Sequence, residues 1–163
     1  MNRVTVLGAG TMGHGIAHAA IAAGYETRMY DVSNAAVGKG RAAIEQIVTK
    51  GVELGKTSAG DADGMLGRLS VTTDLAEALG DAELVIEAAP EKIDLKLQLF
   101  ADIERLAPAP AIIASNTSAL SITEMAGSLK DPGRVAGMHF FNPVHKMKLI
   151  EICLLYTSDA ADE

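Results

Sequence analysis

Short apolar runs alternate with longer amphipathic stretches along this chain of 163 residues. Runs rich in Val, Ile and Leu predict strands, whereas apolar positions spaced three or four residues apart predict helices. The pattern predicts strands at residues 3–7, 26–30, 70–72, 84–88, 111–114, 134–140 and 148–153. It predicts helices at residues 11–23, 34–54, 91–106 and 121–126, and turns with room for a short helix at 55–67.

Strands that alternate with helices are typical of a mainly parallel, doubly wound α/β sheet. The long segment between the second and third strands, residues 31–69, predicts a helical hairpin that projects from the sheet. The length of the chain suits one domain, or two at most. We place that domain at residues 1–153.

Composition and charge narrow the classes of function. Fourteen Lys and Arg against 21 Asp and Glu give a net charge of −7, so we expect neither nucleic acid nor a membrane as partner. No apolar run approaches the roughly 20 residues that span a bilayer, and the first residues lack the pattern of a signal peptide. Cys153 is the only cysteine, which excludes an intrachain disulfide and a cysteine zinc cluster. We expect a cytoplasmic protein without a metal.

A glycine-rich loop follows the first predicted strand. Residues 8–13, Gly-Ala-Gly-Thr-Met-Gly, match GxGxxG between a strand and a helix, and Asp31 ends the second strand. In this context the pattern predicts a Rossmann-type dinucleotide site. Gly8 permits the tight turn, Gly10 leaves room for the pyrophosphate, and Gly13 lets the helix pack close to the strand.

The helix that begins at Thr11 and Met12 would present free backbone N–H groups and the positive end of its dipole to the phosphates. Asp31 would bind the adenine ribose hydroxyls and repel a 2′-phosphate, which favours NAD over NADP. The alternative for the loop is a glycine turn without a ligand. The alternative for Asp31 is a turn or cap at the end of a strand.

Four further motifs lie in the second half of the chain. They are Glu-Ala-Ala-Pro-Glu at 87–91, Ser-Asn-Thr-Ser at 115–118, Gly-Met-His-Phe-Phe-Asn-Pro at 137–143 and Lys-Leu-Ile-Glu at 148–151. Together with the glycine loop, they make residues 2–153 similar to the L-3-hydroxyacyl-CoA dehydrogenase family, which includes 3-hydroxybutyryl-CoA dehydrogenases. The resemblance implies that NAD is the cofactor and that the activity interconverts (S)-3-hydroxyacyl-CoA and 3-oxoacyl-CoA.

The resemblance also implies roles for single residues. The family's catalytic His matches His139, and its acidic partner matches Glu151. Its active-site Ser, which contacts substrate and nicotinamide, matches Ser118, and its Asn near the nicotinamide matches Asn142. We expect further cofactor contacts from Ala89, Pro90, Glu91 and Lys96.

The residues around Glu151 support its pairing with His139. Glu151 lies between Ile150 and Ile152, and a carboxylate buried in so apolar a strand is costly without a partner. His139 ends the preceding strand and is the obvious partner. A carboxylate bonded to one ring nitrogen would fix the tautomer and leave the other nitrogen to exchange a proton with a hydroxyl. Spacing alone favours a structural pair, whereas the motif favours catalysis.

Other polar residues have weaker signals. His14 and His18 are spaced for a metal, but no third ligand is evident, so we expect packing or surface histidines. We expect His145 to be exposed. Glu87 is either a second acid of the site or a strand-end carboxylate bonded to backbone. Lys50 and Lys56, in a basic segment, are candidate contacts for the phosphates of coenzyme A; a solvated helix face is the alternative.

The chain departs from the family at its end. Family members continue into an all-helical C-terminal domain that supplies another active-site Asn and the dimer interface. We interpret residues 154–163 as a truncation scar and expect a longer parent that forms a homodimer through the missing domain. Without it, NAD binding is expected to survive, whereas acyl-chain selectivity and the efficiency of catalysis are expected to suffer. The competing functions are a non-catalytic NAD(H)-binding module or inactive fragment, and a β-hydroxyacid dehydrogenase with a catalytic Lys.

Overall fold

Seven strands form one sheet with helices on both faces in the computed structural model, which describes residues 1–154. The strands are β1 (Arg3–Leu7), β2 (Glu26–Tyr30), β3 (Leu69–Thr72), β4 (Leu84–Glu87), β5 (Ile112–Ser115), β6 (Val135–Phe140) and β7 (Ile150–Leu154). The helices are α1 (Thr11–Ala22), α2 (Asn34–Glu53), α3 (Ala59–Gly67), α4 (Leu75–Leu79), α5 (Ile93–Leu106) and α6 (Ile122–Gly127). A single 3₁₀ turn, Pro132–Arg134, precedes β6 within these residues.

The strand order is β3-β2-β1-β4-β5-β6-β7, and every pair is parallel except β6 with β7. The order reverses between β1 and β4, so a crevice opens there beyond the carboxyl ends of the strands. Ligands of open α/β sheets bind at such a switch point. The predicted doubly wound α/β fold is confirmed.

Two apolar clusters hold the helices on the sheet. Ile16 and Ile21 of α1 and Ile44 of α2 are at most 1% exposed and pack on one face. Phe100 and Ile103 of α5 are fully buried on the other face. Burial of such side chains stabilises the fold by about 1.5–3 kcal/mol each. The helices are therefore held on both faces of the sheet that carries the crevice.

The predicted hairpin consists of α2 and α3. Ser33 caps α2, because its Oγ accepts a hydrogen bond from Ala36 N at 3.3 Å. Gly40 lies against the glycine loop, since a Cβ there would be 2.8 Å from Ala9 O. The hairpin is thus anchored at the edge of the sheet that carries the crevice.

Some boundaries differ from the predictions. Helix α4 was not predicted. Asp74 caps its first turn, because its Oδ1 accepts hydrogen bonds from the N–H groups of Ala76 and Glu77. Strand β7 begins at Ile150 instead of residue 148, because the turn at 144–146 is followed by three residues without regular structure. It continues to Leu154, one residue beyond the predicted domain end. The rest of the predicted tail lies outside the described residues.

The last described strand is exposed throughout its length. It lies at the edge of the sheet and pairs only with β6 among the described strands. The prediction that Glu151 is buried is therefore wrong: its apolar neighbours suggested a core strand, but at this edge they remain exposed as well. Among residues 1–154, no helix is both long and apolar enough to cross a bilayer.

Candidate cofactor and catalytic site

A cavity of about 780 Å³ opens at the carboxyl ends of the strands. Twelve of the predicted site residues line it: Gly8, Gly10, Thr11, Met12, Asp31, Ala89, Pro90, Glu91, Lys96, Ser118, His139 and Asn142. The volume lies within the range of small-molecule and cofactor pockets. Elements that are distant in sequence thus meet at one site.

The glycine loop forms the floor of this cavity. Gly8 has φ +107°, and a Cβ there would lie 2.6 Å from Ala88 O. Gly13 is buried beneath the loop, where a Cβ would lie 1.8 Å from Gly8 O. A Cβ on Gly10 would have no atom within 4 Å and would project into open space. Gly8 and Gly13 allow the close packing, and Gly10 leaves space for a ligand.

The start of α1 can bind an anion. Gly10 is the N-cap residue and offers no side-chain cap, so the N–H groups of Thr11 and Met12 point beyond the helix without an intrahelical acceptor. Unpaired N–H groups and the positive end of the helix dipole together attract phosphate. The residues present therefore fit the pyrophosphate of a dinucleotide.

Asp31 connects the ends of two structural elements and also lines the cavity. Its Oδ2 accepts a hydrogen bond from Ala9 N at 3.0 Å, and its Oδ1 accepts one from Ser33 N at 3.2 Å. The turn role that we considered as an alternative is therefore present. It is compatible with ribose binding, since the two bonds fix the carboxylate at the edge of the cavity.

A buried ion pair borders the cavity, since one of its members, Lys96, is among the lining residues. Lys96 Nζ is 2.7 Å from Glu87 Oε1 and 2.9 Å from Oε2, and it also donates to Ala89 O at 3.1 Å. Ser115 Oγ donates to Glu87 Oε2 at 2.6 Å. The backbone bond that we considered for Glu87 is present, because Ala89 N donates to its Oε1 at 2.6 Å, whereas the bond to a lysine was not predicted. Because the Lys96 ammonium has three protein acceptors, it fixes the loop after β4.

Glu91 holds the loop that carries Ser118. Its carboxylate accepts hydrogen bonds from Thr117 Oγ1 at 2.8 Å and from Ser118 N at 3.1 Å, and Lys96 Nζ lies 3.4 Å away. Partial burial raises the pKa of Glu91. The hydrogen bonds from Thr117 and Ser118 and the charge of Lys96 together lower the pKa by more than burial raises it, so that the pKa of Glu91 is below its usual value. Glu91 is therefore a carboxylate at neutral pH.

His139 and Glu151 are direct partners in the antiparallel pairing of β6 with β7. His139 Nδ1 lies 3.0 Å from Glu151 Oε2. The side chains are 27% and 62% exposed, respectively, so solvent reaches the carboxylate. The ring of His139 also contacts the ring of Phe141, with centroids 4.6 Å apart. With Nδ1 engaged, the other ring nitrogen is available to a ligand.

Asn116 also lines the cavity and was not among our candidates, although it lies inside the Ser-Asn-Thr-Ser motif. Its Oδ1 accepts a hydrogen bond from Phe140 N at 2.8 Å. This bond joins the loop that carries Ser118 to the end of the strand that carries His139. Its position after a strand that ends at the carboxyl edge was the signal that could have identified it.

Other predicted residues lie outside the cavity. Lys50 is exposed and forms an ion pair with Glu53 at 2.9 Å near the far end of α2. Lys56 is exposed beyond that helix. His14 Nδ1 lies 2.8 Å from Gly10 O, His18 is partly buried, and His145 is exposed as expected.

Comparison with known proteins gives a consistent result. Residues 3–161 match a family model described as "3-hydroxyacyl-CoA dehydrogenase, NAD binding domain". A 3-hydroxyadipyl-CoA dehydrogenase of Escherichia coli is 42% identical over 149 residues, which are 91% of this chain and 31% of that protein. A 3-hydroxybutyryl-CoA dehydrogenase of Mycobacterium tuberculosis is 40% identical over 162 residues, which are 99% of this chain and 56% of that protein.

The similarity extends to the fold. The crystal structure of (S)-3-hydroxybutyryl-CoA dehydrogenase from Ralstonia eutropha has a TM-score of 0.91 and 39% identity, and the match covers 98% of this chain and 56% of that one. The chain spans between 31% and 56% of the length of these relatives. The family model supports NAD as the cofactor. The match over nearly all of the chain shows that it belongs to the family of 3-hydroxyacyl-CoA dehydrogenase NAD-binding domains.

Proposed function

We propose that this chain is the cofactor-binding part of an NAD-dependent oxidoreductase that interconverts (S)-3-hydroxyacyl-CoA and 3-oxoacyl-CoA. The observation that carries the proposal is the His139–Glu151 pair, 3.0 Å apart, with His139 on the wall of the dinucleotide cavity. A domain that only bound NAD would need no acid–base group there. The names of the relatives support the acyl-CoA substrate class.

In this proposal His139 is the general acid and base. NAD, when bound, supplies the acceptor for the hydride of the substrate. Glu151 holds Nδ1, which leaves Nε2 to take the proton of the 3-hydroxyl group. The negative charge of Glu151 stabilises the imidazolium that results. In the reverse direction the protonated ring donates a hydrogen bond to the 3-oxo group and then gives up its proton.

Ser118 and Asn142 complete the proposed site. Both line the cavity with His139, so the Ser118 hydroxyl can orient the reacting oxygen and Asn142 can contact the nicotinamide end of the cofactor. Lys50 and Lys56, exposed on the hairpin, remain candidates for the phosphates of coenzyme A. A homodimeric parent with a further helical domain and a cytoplasmic location stay predictions.

A second function is an NAD(H)-binding module without turnover. The exposed fraction of Glu151, 62%, favours it, because solvent weakens the electrostatic effect of the carboxylate on His139. The chain also spans at most 56% of the relatives described above. In that case the activity belongs to a longer protein that contains the same site.

The experiment that distinguishes the two measures NADH oxidation by the purified chain with acetoacetyl-CoA, alongside NADH binding by fluorescence. His139→Gln should abolish turnover and leave NADH affinity within about twofold, while His145→Gln, an exposed control, should change neither. Turnover that survives in His139→Gln would remove His139 from the mechanism. NADH binding without any turnover would support the binding module.

A further inference from the structure

Gly15 of α1 faces the side chain of Val144, which lies between β6 and β7. A Cβ on Gly15 would lie 2.9 Å from both Cβ and Cγ2 of Val144, closer than Cβ contacts in proteins. Val144 is 8% exposed and belongs to the same apolar cluster as Ile16 of α1. Val144 therefore fills the notch that the absent side chain of Gly15 leaves in the helix.

Val144 belongs to a compact turn between β6 and β7. The N–H groups of Lys146 and Met147 donate to Pro143 O at 2.9 and 3.0 Å. Asn142, two residues before Val144, lines the cofactor cavity. Only Pro143 separates Val144 from Asn142 along the chain.

Gly15 belongs to the helix whose first turn lines the cavity on the side away from Asn142. It is buried in α1, whose first residues, Thr11 and Met12, line the cavity at the phosphate end. It lies outside the GxGxxG motif, so neither phosphate approach nor packing of the loop on the strand explains a glycine there. The contact that requires it is the one with Val144.

We propose that Gly15 and Val144 are positioning residues that set the distance between the start of α1 and Asn142. The proposal rests on the proposed function only in that NAD(H) occupies the cavity. Substitution of Gly15 by Ala would push Val144 away by about 0.5–1 Å, the shift that restores ordinary van der Waals contact. Misplacement of a group by about 1 Å can cost a reaction up to about 10²-fold.

The test is a size exchange between the two positions. Gly15→Ala should weaken NADH binding about tenfold and move the ¹⁵N–¹H amide signal of Asn142 in the ligand-free chain. Val144→Gly removes the Cβ and the methyl group that a Cβ at position 15 would meet at 2.9 Å, so the double variant should recover most of the affinity and of the signal position. Gly38→Ala is the matched control, since Gly38 is exposed in α2 and a Cβ there meets no atom within 4 Å. It should change neither measurement.

The position of the Asn142 signal is the readout that a role confined to the packing of α1 would not move. If Gly15→Ala binds NADH as the original chain does and leaves the Asn142 signal in place, the proposal is overturned. The same holds if Val144→Gly fails to rescue. Should the original chain not bind NADH, the proposed function fails, yet the Asn142 signal in the four proteins still decides whether the contact positions this residue.

Discussion

Glu87 and Lys96 form an ion pair in the interior of the protein, with their side chains 0% and 1% exposed. Glu87 belongs to β4 and Lys96 to α5, and Ser115 of β5 donates to the same carboxylate. Ala89 N donates to Glu87 Oε1 at 2.6 Å. The charges are well compensated by hydrogen bonds, which is the condition under which a buried pair is tolerated. The pair joins three elements at the wall of the cofactor cavity.

Removal of the lysine alone should therefore destabilise the fold severely. Lys96→Met leaves a buried carboxylate without its counter-charge, and we expect the free energy of unfolding to fall by about 3–5 kcal/mol in urea titrations. The double variant Glu87→Leu with Lys96→Met should regain much of this loss. Lys50→Ala, which breaks an exposed pair with Glu53, is the control and should cost about 0–1 kcal/mol. Equal costs for the two lysines would contradict the structure.

Asp31 should determine the choice between the two nicotinamide cofactors. In Asp31→Asn the amide oxygen can still accept the Ala9 N–H, but the negative charge is gone. Repulsion between unit charges at 4 Å in water is about 1 kcal/mol, so the ratio of the NADPH and NADH dissociation constants should fall about fivefold or more. The same exchange at the exposed Asp63 is the control. An unchanged ratio would count against a ribose contact.

Thr117 should control the ionisation of Glu91. Thr117→Val removes a hydroxyl that donates to Glu91 and accepts the N–H groups of Ala119 and Leu120, so the pKa of Glu91 should rise towards its usual value. Thr117→Ser keeps the hydroxyl and should leave that pKa low. A ¹³C titration of the Glu91 carboxyl measures both. A low pKa in the valine variant would show that Lys96 and Ser118 suffice.

The same bond has a consequence for stability against pH. Because folding lowers the pKa of Glu91, its contribution is complete above the pKa of the unfolded chain, about 4.3, and is lost as the pH falls through the lower folded value. The stability difference between the original chain and Thr117→Val should therefore be smaller at pH 3 than at pH 7. A difference independent of pH would mean that only the neutral backbone contacts matter.

His18 should make the fold sensitive to mild acid. Burial lowers its pKa, and the nearby His145 and His14 lower it further. The unfolded chain then binds more protons, so stability falls as the pH drops through about 6.5 and levels off below the folded pKa. His18→Gln should flatten this dependence in urea titrations between pH 8 and pH 5. If the slope of the variant equals that of the original chain, other groups account for it.

Local patterns made most of the fold predictable. A few neighbouring residues suffice to predict the first strand at 3–7 and the glycine loop after it. The same is true of the end of α1, where Gly24 has φ +95°. Helix α4 escaped prediction because five residues are too few to show a period. The order of the strands follows from general rules for α/β sheets. The exposure of β7 does not, because its apolar sequence is typical of a buried strand although it lies at the edge of the sheet.

Contacts between side chains that are distant in sequence could not be predicted from local patterns. Lysines are rarely buried, and nothing in the spacing of Glu87 and Lys96 indicated that α5 places an ammonium group over the end of β4. Asn116 acts through the backbone N–H of Phe140, a contact that exists only after β5 and β6 have paired. The roles of the predicted site residues in binding and catalysis stay predictions.

Strand β7 is antiparallel to the other six strands, and His139 lies directly opposite Glu151 in its pairing with β6. The contact between the two residues therefore depends on the register of that pairing. Successive side chains of a strand point to opposite faces, so a slip of one residue would turn Glu151 away from His139. Ile150 or Ile152 would then lie opposite the imidazole, and the protein would keep its sheet and its glycine loop. Such a misaligned form would bind dinucleotide while lacking the carboxylate, and hydrogen exchange at β7 would report how often the chain samples it.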